Sequence, residues 1–141
     1  WILYLPKTDP AGGYEIVIDT NEFKEGKQSL KFIIHEGHSV TEGFPLSGLC
    51  YEYEAVPSNS YRISFWIKND GCRFFIQIGG VSAGDGKYNT IVESSETINA
   101  WRFVEYKYTM PSEFKFKRIR FDLNIKKPGV FWIDDIRIEQ V

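Results

Sequence analysis

Apolar and polar residues alternate along most of this chain, which is the pattern of half-buried β-strands. The clearest alternation covers residues 61–68, 72–78 and 118–125. Further strands are predicted at residues 2–5, 14–19, 29–35, 49–56, 88–93, 101–110 and 130–139. Short segments rich in Gly, Pro, Asn and Asp separate these strands, and no window has a sustained helical period. The pattern predicts a single all-β domain over residues 1–141, an antiparallel β-sandwich or barrel of nine or ten strands.

Two adjacent acids interrupt the alternation of the last predicted strand. Asp134 and Asp135 stand between two apolar alternations. A β-bulge at this pair keeps Ile133, Ile136 and Ile138 on the inner face. It also turns one carboxylate toward the interior edge, where hydrogen bonds or a cation must compensate its charge.

Charge and composition exclude several classes of function. The 141 residues include 17 basic and 19 acidic side chains, a net charge of -2, which argues against binding to nucleic acid through the phosphates. No apolar run approaches the ~20 residues that span a bilayer, so membrane insertion is not expected. The chain begins at Trp1 without a Met, and we expect it to be a fragment of a longer protein.

Catalytic and metal-binding motifs are absent from the sequence. It contains no GxSxG, HExxH, phosphate-binding glycine loop or EF-hand loop, and we expect no enzyme activity. Cys50 and Cys72 lack the spacing of a zinc or redox motif. Two separate thiols are the preferred interpretation, and a disulfide between them stays open.

Aromatic residues make up 16% of the chain, and some of them are predicted to face outward. The alternation that turns Phe65 and Ile76 inward turns Trp66 and Phe75 outward, beside polar residues such as Gln77. An aromatic ring among hydrogen-bonding groups is a composition that binds sugars, because a pyranose stacks on the ring. Burial under a loop or against a neighbouring domain is an equally good interpretation.

Four stretches occur in an order that resembles a known family. They are residues 26–32 (GKQSLKF), 61–68 (YRISFWIK), 101–109 (WRFVEYKYT) and 131–136 (FWIDDI). Together they resemble the carbohydrate-binding modules of the family 4, 9 and 22 group, which are galactose-binding-domain-like jelly rolls. The resemblance implies a two-sheet jelly roll that binds a glycan chain on its concave sheet without catalysis.

The resemblance also implies a set of sugar-binding residues. Tyr88 matches an aromatic residue that stacks on sugar, Phe44 is the nearest match to a second one, and Asp122 matches an acid that takes sugar hydroxyls. Arg120 is the outward neighbour of Asp122, and Trp132 is added from its place in the last strand. With the outward residues above, the predicted site comprises Tyr88, Trp66, Phe44, Phe75, Gln77, Arg120, Asp122 and Trp132.

Many members of this family hold a structural calcium ion at the edge of the sheet. The matching parts of this chain are Asp134 and the backbone carbonyls around Glu25 and Gln28, and oxygen ligands suit calcium. The family supplies a further acid from the segment before the first Trp, and this chain begins at that Trp.

These expectations describe a non-catalytic module of an extracellular or cell-surface protein, attached to a glycoside hydrolase. Its partners would be a polysaccharide or oligosaccharide and the other domains of the parent chain. The alternative is a structural or protein-interaction β-sandwich within a larger enzyme or surface protein, with no sugar ligand. Its outward aromatics would then pack against a neighbouring domain.

Overall fold

The protein is an all-β chain, as the alternation predicts. The computed structural model describes residues 2–4, 14–35 and 47–141, and these contain ten β-strands and no helix. These residues therefore include no helix long and apolar enough to cross a membrane. The strands are β1 (Ile2–Tyr4), β2 (Tyr14–Asp19), β3 (Ser29–Ile34), β4 (Ser47–Glu54), β5 (Ser60–Asp70), β6 (Phe74–Ser82), β7 (Asp85–Ser94), β8 (Ile98–Thr109), β9 (Arg118–Ile125) and β10 (Gly129–Gln140).

Two five-stranded antiparallel sheets form a jelly-roll sandwich. The first sheet has the strand order β1-β4-β9-β6-β7 and the second has the order β2-β3-β10-β5-β8. Strands β6 and β7 form a hairpin that is longer than predicted, because pairing continues to Ser82 and Asp85 and leaves only Ala83 and Gly84 in the turn. Gly84 has a φ of 74°, which a glycine adopts without strain.

Aromatic and branched side chains fill the space between the two sheets. Phe121 of the first sheet packs edge-to-face on Phe65 of the second, with ring centroids 5.7 Å apart. Phe74 and Phe131 form a second contact between the sheets, with centroids 4.6 Å apart. All four side chains are fully buried. The inward alternation predicted for β5, β6 and β9 is therefore confirmed.

The predicted bulge in the last strand is present. The pairing of β10 with β5 shifts register between Asp134 and Arg137, and Asp135 has a φ of 50°. Ile133 is buried, and Ile136 packs against the core with partial exposure. The bulge thus keeps the apolar residues on both sides of the acidic pair at the core.

Both cysteines are buried free thiols, in agreement with the preferred interpretation. Cys50 lies on β4, and Cys72 lies just before β6. Burial raises the pKa of the Cys72 thiol to about 12, because the thiolate would lose its hydration.

Removal of a core ring tests the packing between the sheets. Phe121→Ala is expected to lower the free energy of unfolding by about 3–5 kcal/mol, because it deletes a fully buried ring that contacts the opposite sheet. Phe114→Ala is the matched control: its side chain is 83% exposed, and the change should stay within about 0.5 kcal/mol. Urea denaturation followed by circular dichroism measures both, and equal effects would contradict this core.

The thiols provide a second test of burial. In the Cys50→Ala variant, Cys72 should react slowly with Ellman's reagent at pH 9 while the domain is folded, since the raised pKa keeps its thiol protonated. In urea the pKa returns to its ordinary value and labelling should be fast. Because burial penalises the thiolate, the free energy of unfolding should be highest below pH 9, where the thiol is neutral in both states, and should fall as the pH rises toward 12. Fast labelling of the folded protein would show that Cys72 is accessible.

Candidate functional site

Five of the predicted site residues lie together on one surface. They occupy the face of the first sheet that points away from the core, here called the outer face of the first sheet. Strand β9 places Phe121 and Leu123 in the core and therefore turns Arg120 and Asp122 to this outer face. The five residues are Tyr88, Phe75, Gln77, Arg120 and Asp122.

The strand register arranges this face in rows. In one row Glu52 of β4 pairs with Arg120 of β9, Arg120 pairs with Gly79 of β6, and Gly79 pairs with Tyr88 of β7. Gly79, which stands between Tyr88 and Arg120 in this row, carries no side chain to separate them. The aromatic ring and the guanidinium group are thus neighbours across a single strand.

A polar network crosses the middle of this face. The Arg120 Nε donates to both carboxylate oxygens of Asp122 at 3.0 Å, and its Nη1 donates to Glu52 Oε1 at 3.2 Å. Gln77 Nε2 donates to Asp122 Oδ2 at 3.2 Å, and Arg118 Nη1 lies 3.1 Å from Glu52 Oε2. Two arginines and two carboxylates therefore compensate each other's charge and hold each other in place.

Tyr88 is the aromatic platform of the face. Its side chain is 40% exposed. Partial burial raises the pKa of its hydroxyl, Arg120 opposes this rise, and Asp122 and Glu52 add to it, so the ring lies within the field of the polar network. The ring also lines an open depression of about 430 Å³, together with Glu52, Arg118, Arg120 and the β6–β7 hairpin. This volume lies within the range of about 300–1,000 Å³ that is typical of small-ligand sites.

Phe75 lies farther along the same face. It pairs with Asn124 of β9 and is half-buried, and the Lys126 ammonium lies 5.3 Å from its ring centroid. Phe75 thus extends the apolar part of the face beyond Gln77. Its role as a sugar contact stays a prediction.

The prediction that Trp66 shares a face with Tyr88 is wrong. Trp66 lies on β5 of the second sheet, where it faces away from the core on the opposite side of the sandwich. Its ring packs on Phe103 at a centroid distance of 5.0 Å, and the Lys24 ammonium lies over it at 4.5 Å. Alternation distinguishes inward from outward residues, but it does not tell which of the two outer faces a residue occupies.

The prediction that Trp132 lies beside Tyr88 is wrong for the same reason. It lies on β10 of the second sheet, with Lys31 and Lys68 each 5.4 Å from its ring centroid. Its indole N–H donates to Asp19 Oδ2 at 3.1 Å. This bond joins β10 to the last residue of β2 within the second sheet, so Trp132 does not share a sheet with Tyr88. Phe44, the remaining predicted contact, lies outside the described residues.

Glu52 is the functional candidate that the sequence analysis missed. It accepts from two arginines at the centre of the network and lines the depression beside Tyr88. The signal that finds it is the pairing of Glu52 with Arg120, a contact between residues 68 positions apart. Alternation within a single strand carries no such information.

The surroundings of Asp134 do not fit a calcium ion. Its Oδ2 accepts hydrogen bonds from the backbone N–H groups of Lys24 at 2.7 Å and Glu25 at 2.9 Å, and its Oδ1 accepts from that of Asp135 at 2.8 Å. Calcium requires six or more oxygen ligands, whereas these groups are donors. Among the described residues no three acids, histidines or cysteines gather as a metal site; Gln28 lines a depression beside Asp134. Asp134 pairs with Trp66 and so lies on the outer side of the second sheet, which means that the expectation of a carboxylate turned toward the interior edge is wrong for Asp134. Hydrogen bonds from the segment between β2 and β3 and from Asp135 compensate its charge.

The role of Asp134 can be tested by thermal denaturation. We expect neither calcium chloride nor a chelator to change the Tm of the wild-type chain. Asp134→Ala should lower the Tm because three backbone N–H groups lose their acceptor. Asp85→Ala, which removes an exposed carboxylate from the β6–β7 hairpin, should lower it less. A Tm that rises with calcium in the wild type but not in Asp134→Ala would establish the metal site instead.

No family model matches the sequence, and no curated protein matches it. Solved structures do match. The xylan-binding CBM22-1 domain of Xyn10C from Paenibacillus barcinonensis is 16% identical, with a TM-score of 0.65 over 92% of this chain and 83% of that one. The CBM22-1–GH10 modules of Clostridium thermocellum xylanase 10B, in complex with xylohexaose, are 15% identical, with a TM-score of 0.66 over 92% of this chain. This protein shares its fold with carbohydrate-binding modules.

The matches extend to family 4 modules and to one phage enzyme. The enzymatically active domain of tailspike protein 4 from bacteriophage CBA120 is 14% identical, with a TM-score of 0.73 over all of this chain. This chain covers 26% of the xylanase chain and 19% of the tailspike chain. At such identities the likeness establishes the jelly-roll fold, whereas ligand and biological context require separate arguments.

Proposed function

We propose that this chain binds a glycan chain, without catalysis, on the outer face of the first sheet. The observation that carries the proposal is the juxtaposition of a half-exposed aromatic ring, Tyr88, with the polar network of Arg120, Asp122, Gln77 and Glu52. A pyranose presents a C–H face, which can stack on the Tyr88 ring, and a rim of hydroxyl groups, which can form hydrogen bonds with the polar network.

The network favours an uncharged glycan. Arg118 and Arg120 are both paired with carboxylates, so the centre of the face has no net charge to attract an acidic polymer. The family 22 matches include a xylan-binding domain and a complex with xylohexaose. We therefore take xylan as the first polymer to test, with mixed-linkage β-glucan and mannan as further uncharged polymers and pectin as the acidic one.

In this proposal the chain is a targeting module of an extracellular or cell-surface protein. The xylanase match carries a family 22 module beside a GH10 module, which supports attachment to a glycoside hydrolase. The module would hold that enzyme near its polymer. Affinity for a single chain would be modest, from tens of micromolar to millimolar, because stacking contributes roughly 1 kcal/mol per ring.

A structural domain within a larger enzyme is the second candidate. The tailspike match favours it, since that chain is about five times longer and contains a region of the same fold. Phe103, 48% exposed on the second sheet, would then contact a neighbouring domain. This candidate predicts no retardation by any polysaccharide.

Affinity electrophoresis against xylan, mixed-linkage β-glucan, mannan and pectin tests the proposal. Titration calorimetry follows, with oligosaccharides of any polymer that retards the chain. Tyr88→Ala should weaken binding about tenfold or more, because the ring provides the stacking surface. Its Tm should change little, since the side chain is half exposed.

Phe103→Ala is the matched control for this measurement. It removes an aromatic ring of similar exposure from the opposite face of the sandwich, and binding should be unchanged. If Phe103→Ala weakens binding and Tyr88→Ala does not, the ligand lies on the second sheet. If no polymer retards the chain, glycan binding is rejected in favour of the structural candidate.

A further inference from the structure

We propose that two glycines, Gly79 and Gly86, form a cradle that sets the position of the Tyr88 ring, and that Gly86 is a positioning residue for ligand stacking. The effect of Gly86 on ligand stacking rests on the proposed function. The position of the Tyr88 ring against the two glycines is a property of the free protein and does not depend on a ligand. Tyr88 and Gly86 are two residues apart on β7 and so share the outer face, while Gly79 is the direct partner of Tyr88 on β6.

The ring of Tyr88 lies where the side chain of residue 79 would otherwise stand. A β-carbon built on Gly79 would be 2.6 Å from Tyr88 Cδ1, well inside van der Waals contact. It would also clash with the backbone carbonyl oxygen of Lys87. Any larger residue at position 79 would therefore push the ring away and disturb the pairing of β6 with β7.

Gly86 supports the opposite edge of the same ring. A β-carbon there would be 2.8 Å from Tyr88 Cε2 and 3.1 Å from both Cζ and the hydroxyl oxygen. These three atoms of the Tyr88 side chain are its nearest neighbours outside the adjoining residues 85 and 87. The Tyr88 ring thus rests on the bare backbone of two strands, with one edge over Gly79 and the other over Gly86.

This support has a consequence for binding. A ring that lies against backbone cannot turn downward, so its remaining surface is held toward the ligand before the ligand arrives. Less rotamer freedom is then lost on stacking, which improves affinity. The bare backbone at Gly79 lets the Tyr88 ring lie in the same row as Arg120, so one sugar ring can contact both.

Gly86→Ala isolates this effect. Position 86 does not have a left-handed backbone conformation, so alanine is accommodated there, and the three atoms nearest to the added methyl group all belong to the Tyr88 side chain. Ala100→Ser is the matched control. It adds one heavy atom at an exposed position of β8, on the second sheet and away from the depression.

The position of the ring is measured first, in the absence of ligand, by proton NMR. Because the ring current of Tyr88 shifts the resonances of protons held close to the ring, the α-protons of Gly86 should resonate away from their random-coil position. This displacement should disappear in Tyr88→Leu and stay in Ala100→Ser. Unshifted Gly86 α-protons in the wild-type chain would overturn the cradle, whatever the chain binds.

Binding is measured second, with the oligosaccharide of whichever polymer retards the wild-type chain. Gly86→Ala should raise the Kd about tenfold with an unchanged Tm, and Ala100→Ser should have the Kd of the wild type. In a Tyr88→Ala background, Gly86→Ala should have no further effect, since it acts through the ring. If Gly86→Ala weakens binding equally in the wild-type and Tyr88→Ala backgrounds, the positioning role is overturned. If Tyr88→Ala weakens binding but Gly86→Ala does not, the positioning role is also overturned, while the proposal of glycan binding stands.

Discussion

Close packing of aromatic side chains between two sheets is the constraint on which the rest of this structure depends. Phe65, Phe74, Phe121 and Phe131 are fully buried and meet across the interface between the sheets. A strand that commits one residue to this core commits the next to an outer face. The position of Asp122 follows from the burial of Phe121, and the two outer faces are the reverse sides of one core.

Period-two alternation therefore predicts much of the fold and only part of the site. The ten strands, the inward residues of β9 and the bulge at Asp134 all follow from sequence, because each reports a local choice between core and solvent. Which sheet a strand joins depends on pairing between distant residues, which local pattern does not encode. Gln77 and Asp122, which the prediction groups together, do lie on one face and are hydrogen-bonded. Trp66, which the prediction adds to them, lies on the other sheet.

The bulge in β10 illustrates how one irregularity organises a loop. The Asp134 carboxylate accepts from the amides of Lys24 and Glu25 and so draws the segment between β2 and β3 against the second sheet. Lys24 then covers Trp66. The same segment brings Glu22 to Lys68, 3.0 Å away. Hydrogen bonds, an ion pair and cation–π contacts together anchor this loop.

The two outer faces carry aromatic rings in different settings, and the difference bears on where a ligand can bind. On the second sheet, lysine side chains of the protein itself lie over Trp66 and Trp132, so a sugar would first have to displace them. On the first sheet, the surface beneath Tyr88 is backbone, and the charges beside it are already paired. A ligand there meets an aromatic surface that is in place and polar groups that need little rearrangement. Preorganisation of this kind favours the first sheet, even though the tryptophans among the described residues lie on the second.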